Sequence, residues 1–401
     1  MHTVAQAVRA PPGFRAQSRP MPASSAPNRP LPLLGGSTPA AFMRRHWQKR
    51  PLLIRGAAAG SFRFLSRAEL FALARSAEVE SRLVGRTERG AWTLAHGPFA
   101  RGSLPSPSEP RWTLLVQGVD LHDDGARELL DAFRFVPDAR LDDVMVSWAS
   151  DRGGVGPHVD SYDVFLLQAR GRRRWRIARR FDPALRRDAP LKVLRRFTPE
   201  HEHLLEAGDM LYLPPGWAHD GLADGGDCIT YSIGFRAPRS ADLGVDLVER
   251  LLDRAAARAG PLYADPTQRP TRTPARIPRP LRAFAVAAAR RVVAGERDLE
   301  RVLGEALTQR KASVRFDVRP RRWRTAAVAL DRRTAMLYDD EHIFVNGESH
   351  RVAARKDRAL LRRLADRRRV DARAVAAASA SATRLLAEWL RAGWLRLERD
   401  R

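Results

Sequence analysis

The sequence predicts a mainly β core, closed or double-sheeted, with helices added behind it. Three observations lead there. Short apolar strands recur between residues 79 and 235, separated by Gly, Pro and Asp. Beyond residue 238 the apolar residues switch to a helical period. From about residue 319, short strand patterns flank two helical stretches, an order that resembles a winged helix.

The elements follow in chain order. Residues 1–29 carry four arginines, five prolines and no acidic residue, which predicts a disordered tail. The basic, acid-free profile is that of a transit peptide, but the prolines oppose the amphipathic helix such a peptide needs. A tail, or a true start at Met21, is the favoured reading. A core domain is expected over 30–237. Thr38 caps a helix with Pro39 in its first turn, and the helix ends near Lys49-Arg50-Pro51. Leu52-Leu53-Ile54 reads as a buried strand, and Ser66 with Glu69 as a capping box opening a helix through Leu70 to Ala74. Strands are expected at Val79 to Leu83, Trp112 to Val116, Asp143 to Trp148, Val164 to Gln168, Trp175 to Ile177 and Ile229 to Phe235. Between 238 and 318, Leu243, Leu247, Leu251 and Ala255 form one helical stripe, and Leu299, Val302, Leu303 and Leu307 another. Pro266, Pro270, Pro274, Pro278 and Pro280 suggest an extended connection between them. Over 319–401, strand-like Arg324 to Asp331 precedes a hairpin signal at Asn346-Gly347, and helices at Asp357 to Asp366 and Ala380 to Ala392 precede a last strand at Gly393 to Leu397.

Two short motifs carry the chemistry. In His158-Val159-Asp160 a strand would point His158 and Asp160 to the same side, so both can reach one metal ion. His219 follows a turn, a short buried strand and Pro214-Pro215-Gly216, and is the candidate third ligand. Two imidazoles and one carboxylate form the facial set that holds ferrous iron and leaves other positions open. Arg173 lies on the returning strand of a hairpin turned at Ala169-Arg170-Gly171. Alternation puts it on the inward face with Trp175 and Ile177, while Arg172 and Arg174 face outward. A guanidinium on an apolar face needs an anion. That anion is either a structural Asp or Glu or the distal carboxylate of a dicarboxylate co-substrate, which a guanidinium grips bidentately.

These residues resemble a known family. Gly154 through Phe165, Gly171 through Trp175, Gly208 through His219 and the entry segment Phe42 through Ile54 are similar to the bacterial JmjC ribosomal oxygenases of the RoxA type. The resemblance covers roughly residues 30 to 400. It implies a double-stranded β-helix (cupin/JmjC) barrel, a helical dimerisation region over 238–318 and a C-terminal winged-helix domain. It also implies an Fe(II)- and 2-oxoglutarate-dependent protein hydroxylase that consumes dioxygen and modifies an arginine side chain of large-subunit ribosomal protein L-sixteen. Carried over by position, His158, Asp160 and His219 match the iron ligands, Arg173 the residue that salt-bridges 2-oxoglutarate, and Ser147 a polar co-substrate contact.

Composition bounds the remaining possibilities. The net charge of +25 comes almost wholly from arginine, since Lys49, Lys192, Lys311 and Lys356 are the only lysines. It permits a ribosomal or RNA-bearing partner without diagnosing one. No sequence-specific nucleic-acid reading is expected. The single cysteine, Cys228, suggests a reducing, cytoplasmic setting, and its strand context makes it a small buried hydrophobe. No stretch is long and apolar enough to suggest a membrane span. Two other readings stay open: an inert JmjC-like adaptor that docks on ribosomes or nucleic acid, and a hydroxylase directed at histidine. A small-molecule oxygenase fits less well, because a small substrate needs neither the helical nor the winged-helix addition.

Overall fold

The structure, a computed structural model, describes residues 5–9, 27–58, 60, 62–256, 260–264, 278–293, 296–318 and 325–398. The entry helix Pro39–Arg45 begins where the Thr38 hydroxyl accepts the Ala41 N–H. The helix Arg67–Leu73 opens on the expected capping box of Ser66 and Glu69. A third helix, Asp124–Asp131, was not visible in the apolar pattern. It starts where the Asp123 carboxylate accepts the Ala126 N–H.

Two sheets face each other. The larger has nine strands in the order Ala5–Arg9, Leu52–Arg55, Met210–Leu213, Asp163–Arg170, Cys228–Phe235, Leu141–Ala149, Trp112–Val116, Ser81–Arg86 and Trp92–His96. The smaller runs His201–Leu205, Arg173–Ala178, Ala218–Ala223, His158–Val159. Strand alternation divides the side chains of the large sheet between two cores. Phe165, Leu167, Tyr231, Ile233 and Trp148 face the entry helices and join Phe42 and Phe133. Val164 and Leu166, on the opposite face, meet Trp175, Ile177 and Leu205 of the small sheet. The result is the expected barrel, with its interior between the sheets. Ala5–Arg9 departs from the expected disordered tail: it pairs parallel to Leu52–Arg55, whose outer edge offers free backbone groups. The rest of that tail up to residue 26 lies outside the described residues.

Behind the barrel come the helices Ser240–Ala256, Arg279–Val293 and Glu296–Thr308. Leu251 and Val302 are buried, and Arg254 pairs with Glu305 across the first and third. Pro280 is not in an extended connection: it sits in the first turn of Arg279–Val293, where its missing N–H costs nothing. Pro266, Pro270 and Pro274 lie outside the described residues.

The C-terminal part has two three-stranded sheets, Val328–Leu330 with Arg369–Val370 and Leu395–Leu397, and Met336–Tyr338 with His342–Val345 and Glu348–Arg351. The helices Arg355–Arg367, Ala372–Ala376 and Ala380–Arg391 enclose their core of Leu361, Leu364, Leu386 and Trp389. Asn346 and Gly347 both take positive φ, 49° and 92°, as the tight hairpin turn requires. Glu296–Thr308 is fastened to this hairpin. The Thr308 hydroxyl accepts the Gly347 N–H at 3.0 Å, and the Ser349 hydroxyl donates to Glu305 at 2.6 Å. The expected boundary at 319 therefore falls behind a helix that the hairpin holds. Arg134, from the barrel, donates to the Ala365 and Asp366 carbonyls at 2.9 and 2.7 Å, clipping the end of Arg355–Arg367 to the barrel. Among the described residues no helix is long and apolar enough to cross a membrane.

Candidate metal centre and co-substrate pocket

The small sheet builds the metal centre. His158 pairs with His219 across the antiparallel ladder between His158–Val159 and Ala218–Ala223. Their ring centroids lie 4.2 Å apart. Asp160 follows directly, and its Oδ2 is 3.8 Å from His158 Nε2 and 3.6 Å from His219 Nε2. One ligand atom from each of the three falls within 4.8 Å of the others. Pro214-Pro215-Gly216 has a structural task here. Gly216 takes φ 77°, a region that favours glycine, and its N–H donates to the Asp160 carbonyl at 3.0 Å. The turn before His219 is thereby tied to the chain after His158.

The imidazoles are set up as ligands. His158 Nδ1 lies 2.8 Å from the Gly156 carbonyl and His219 Nδ1 3.0 Å from the Trp217 carbonyl. A carbonyl only accepts, so each Nδ1 carries the hydrogen and each Nε2 lone pair is free for a metal. Burial, reinforced by His158, lowers the pKa of His219 well below its ordinary value. It is therefore neutral near pH 7, the form that binds metal. Gly221 keeps the neighbouring space open, because a Cβ there would meet the Trp175 ring at 2.6 Å.

Arg173 enters the interior as its strand parity predicts. It is 5% exposed, its Nη2 is buried without a hydrogen-bond partner, and no carboxylate of the described residues pairs with it. The alternative of a structural Asp or Glu is thus not what the fold supplies. An unanswered guanidinium N–H in a closed interior fits an anionic ligand. Arg172 and Arg174 face outward and pair with Asp224 and Glu202. Ser147 stands on the facing large sheet, opposite Thr230, buried and with no hydrogen-bond partner for its hydroxyl among the described residues.

Sequence reasoning missed part of this wall. Cys228 is fully buried as expected, yet it is more than a small hydrophobe, since its sulfur accepts from Arg173 Nε at 3.5 Å and Gln168 Nε2 at 3.3 Å. Thr230 donates to Gln168 Oε1 at 2.9 Å. Parity offered a signal: Gln168 shares its strand face with Val164 and Leu166, and a glutamine there needs partners.

The comparisons with known proteins agree with this geometry. Residues 128–243 match the JmjC domain family, and residues 288–396 match the ROXA-like winged helix. The chain is 40% identical over 228 residues to the ribosomal protein uL16 3-hydroxylase of Escherichia coli, a match spanning 56% of this chain and 59% of that protein. The crystal structure of Escherichia coli YcfD superposes with a TM-score of 0.78 at 30% identity, over 90% of this chain and 98% of that one. A second structure of the Escherichia coli ribosomal oxygenase YcfD, in complex with cobalt and 2-oxoglutarate, gives 0.74 at 29% identity with the same coverage. With that likeness running through barrel, helices and winged helix alike, the chain belongs to the JmjC ribosomal oxygenase family.

Proposed function

We propose that this chain is an Fe(II)- and 2-oxoglutarate-dependent hydroxylase whose substrate is an arginine side chain of ribosomal protein uL16. One observation carries the reading: two imidazoles and a carboxylate converge beside a buried guanidinium that has no protein anion among the described residues. The name of the Escherichia coli relative, a uL16 3-hydroxylase, supports the substrate. His158, Asp160 and His219 would hold the metal through Nε2, a carboxylate oxygen and Nε2. When bound there, iron supplies the oxidising chemistry that couples decarboxylation of 2-oxoglutarate to hydroxylation of carbon. Arg173 fixes the distal carboxylate of 2-oxoglutarate, with Ser147 as a further polar contact, and so sets the direction from which the keto acid reaches the metal. Trp175, Leu166 and Ile177 keep the interior dry.

Two further assignments belong to this reading. The family match from residue 288 and the bonds that fasten Glu296–Thr308 to the hairpin support a winged-helix domain beginning near 288. Val245, Val248 and Leu252, on one face of Ser240–Ala256, are 58%, 39% and 52% exposed, which supports a homodimer through this region. A ribosomal substrate and the lone cysteine support a cytoplasmic location.

The test is mass spectrometry of uL16 and its peptides after incubation with the purified chain, Fe(II), 2-oxoglutarate and air. One added oxygen atom on an arginine is expected, with succinate formed in step. His158→Ala, Asp160→Ala and His219→Ala should each abolish both. Oxygen found on a histidine would replace the substrate assignment. Full turnover by any of the three variants would overturn the metal centre.

A further inference from the structure

The buried polar groups around Arg173 form a connected chain across the barrel. Thr230, on Cys228–Phe235, donates to Gln168 Oε1 at 2.9 Å. Gln168 Nε2 donates to the Arg170 carbonyl at 2.7 Å and to Cys228 Sγ at 3.3 Å. Because the carbonyl can only accept and the hydroxyl is satisfied by the amide oxygen, the amide has one orientation. Its N–H is aimed at the sulfur. Arg173 Nε donates to the same sulfur at 3.5 Å, a length ordinary for sulfur. Thr230, Gln168 and Cys228 are each fully buried, so water does not share these bonds. The sulfur is the only hydrogen-bond acceptor that the described residues offer Arg173.

This arrangement decides how the guanidinium can be used. A carboxylate can engage arginine side-on, through Nε and one Nη, or end-on, through the two Nη groups. Cys228 occupies Nε, which leaves the end-on mode, and Nη2 is the buried group without a partner. The sulfur also bridges the two sheets, since Cys228 belongs to the large one and Arg173 to the small one. We propose that Cys228, held by Gln168 and Thr230, is a positioning residue that locks the Arg173 fork for end-on capture of the distal carboxylate of a dicarboxylate co-substrate. This rests on the co-substrate reading above.

The experiment separates the two. Calorimetry on the iron-loaded protein under nitrogen, where no turnover occurs, measures binding of 2-oxoglutarate, of succinate and of 2-oxobutyrate, which lacks the distal carboxylate. Cys228→Ala should weaken 2-oxoglutarate and succinate by about tenfold, the scale of one buried charged donor left unpaired. It should leave 2-oxobutyrate unchanged. Cys228→Ser, which restores an acceptor, should recover most of the loss. Thr230→Val should move the dicarboxylates in the same direction by a smaller factor. In turnover, the KM for 2-oxoglutarate should rise while kcat holds. Unchanged dicarboxylate affinity in Cys228→Ala overturns the proposal, and so does an equal loss for 2-oxobutyrate, which would mark a merely structural role. If the unaltered protein itself fails to prefer 2-oxoglutarate to 2-oxobutyrate, the co-substrate reading falls instead.

Discussion

Arg173 and Arg172 are neighbours in sequence and opposites in environment, which makes them a clean pair to compare. Arg173→Ala removes a guanidinium from the barrel interior and should weaken 2-oxoglutarate by ~2–5 kcal/mol, the order expected when one partner of a buried charge pair is lost. Arg172→Ala, at an exposed position 3.9 Å from Asp224, should leave the apparent KM nearly unchanged. Equal effects on the two Michaelis constants would mean that the strand faces are wrongly assigned. Asp143 offers a second test. Its carboxylate accepts from Gln117 and from the Gly118 N–H, both at 2.8 Å, yet burial, with Asp142 and Asp120 adding to it, pushes its pKa up to about 7. A carboxyl that holds its proton more tightly folded than unfolded loses the fold stability as pH rises from about 4 to 7, after which the loss levels off. Asp143→Asn should flatten that slope and gain about 1–2 kcal/mol over the parent at pH 8 but not at pH 4. Thermal unfolding at both pH values reads it, and equal differences would exclude this origin. At this scale the sequence was most legible where chemistry and parity coincide. That His158 and Asp160 come together and that Arg173 turns inward could be read from two-residue periodicity. The Cys228–Gln168–Thr230 chain could not, because Gln168 lies 60 residues from Cys228 and each member passes for an ordinary strand residue.

Strands such as Trp112–Val116, met at the very residues expected, were legible because all five residues are buried and all but Thr113 are apolar. His201–Leu205 was not, because its His201-Glu202-His203 stretch is half in water and carries no apolar run. Helices were legible by their caps, as at Ser66 and Thr38, and missed where an aspartate caps a short polar segment, as at Asp123. The stripe Val245, Val248 and Leu252 belongs to this scale too. Replacing the three by Gln should shift the chain from dimer to monomer in light scattering while leaving the unfolding midpoint of the barrel in place. A parent chain that is already monomeric would remove the dimer reading.

For the molecule as a whole, the charge of +25 predicts contact with polyanions, and the family predicts a protein substrate. Binding to duplex DNA should therefore be independent of sequence and fall by about a thousandfold or more between 50 and 200 mM salt if six or more phosphates are neutralised. Selection from random duplexes should enrich no motif. A preferred sequence bound about a thousandfold above random DNA at physiological salt would assign the winged helix a reading role instead. The order of barrel, helices and winged helix was legible from changes of period along the chain. A winged helix beginning near 288, as proposed, would not be legible in the same way, because that start depends on which helix the hairpin at Asn346-Gly347 holds, a tertiary fact.

The sulfur at Cys228 has one more use. It is the only thiol in 401 residues, and in the folded chain it is fully covered. A maleimide or iodoacetamide can reach it only when the two sheets part beside Arg173. The labelling rate of the intact, untagged chain is thus a clock for breathing of the barrel at that point, free of background from any other cysteine. A dicarboxylate that bridges the sheets there should slow the clock, and a monocarboxylate should not.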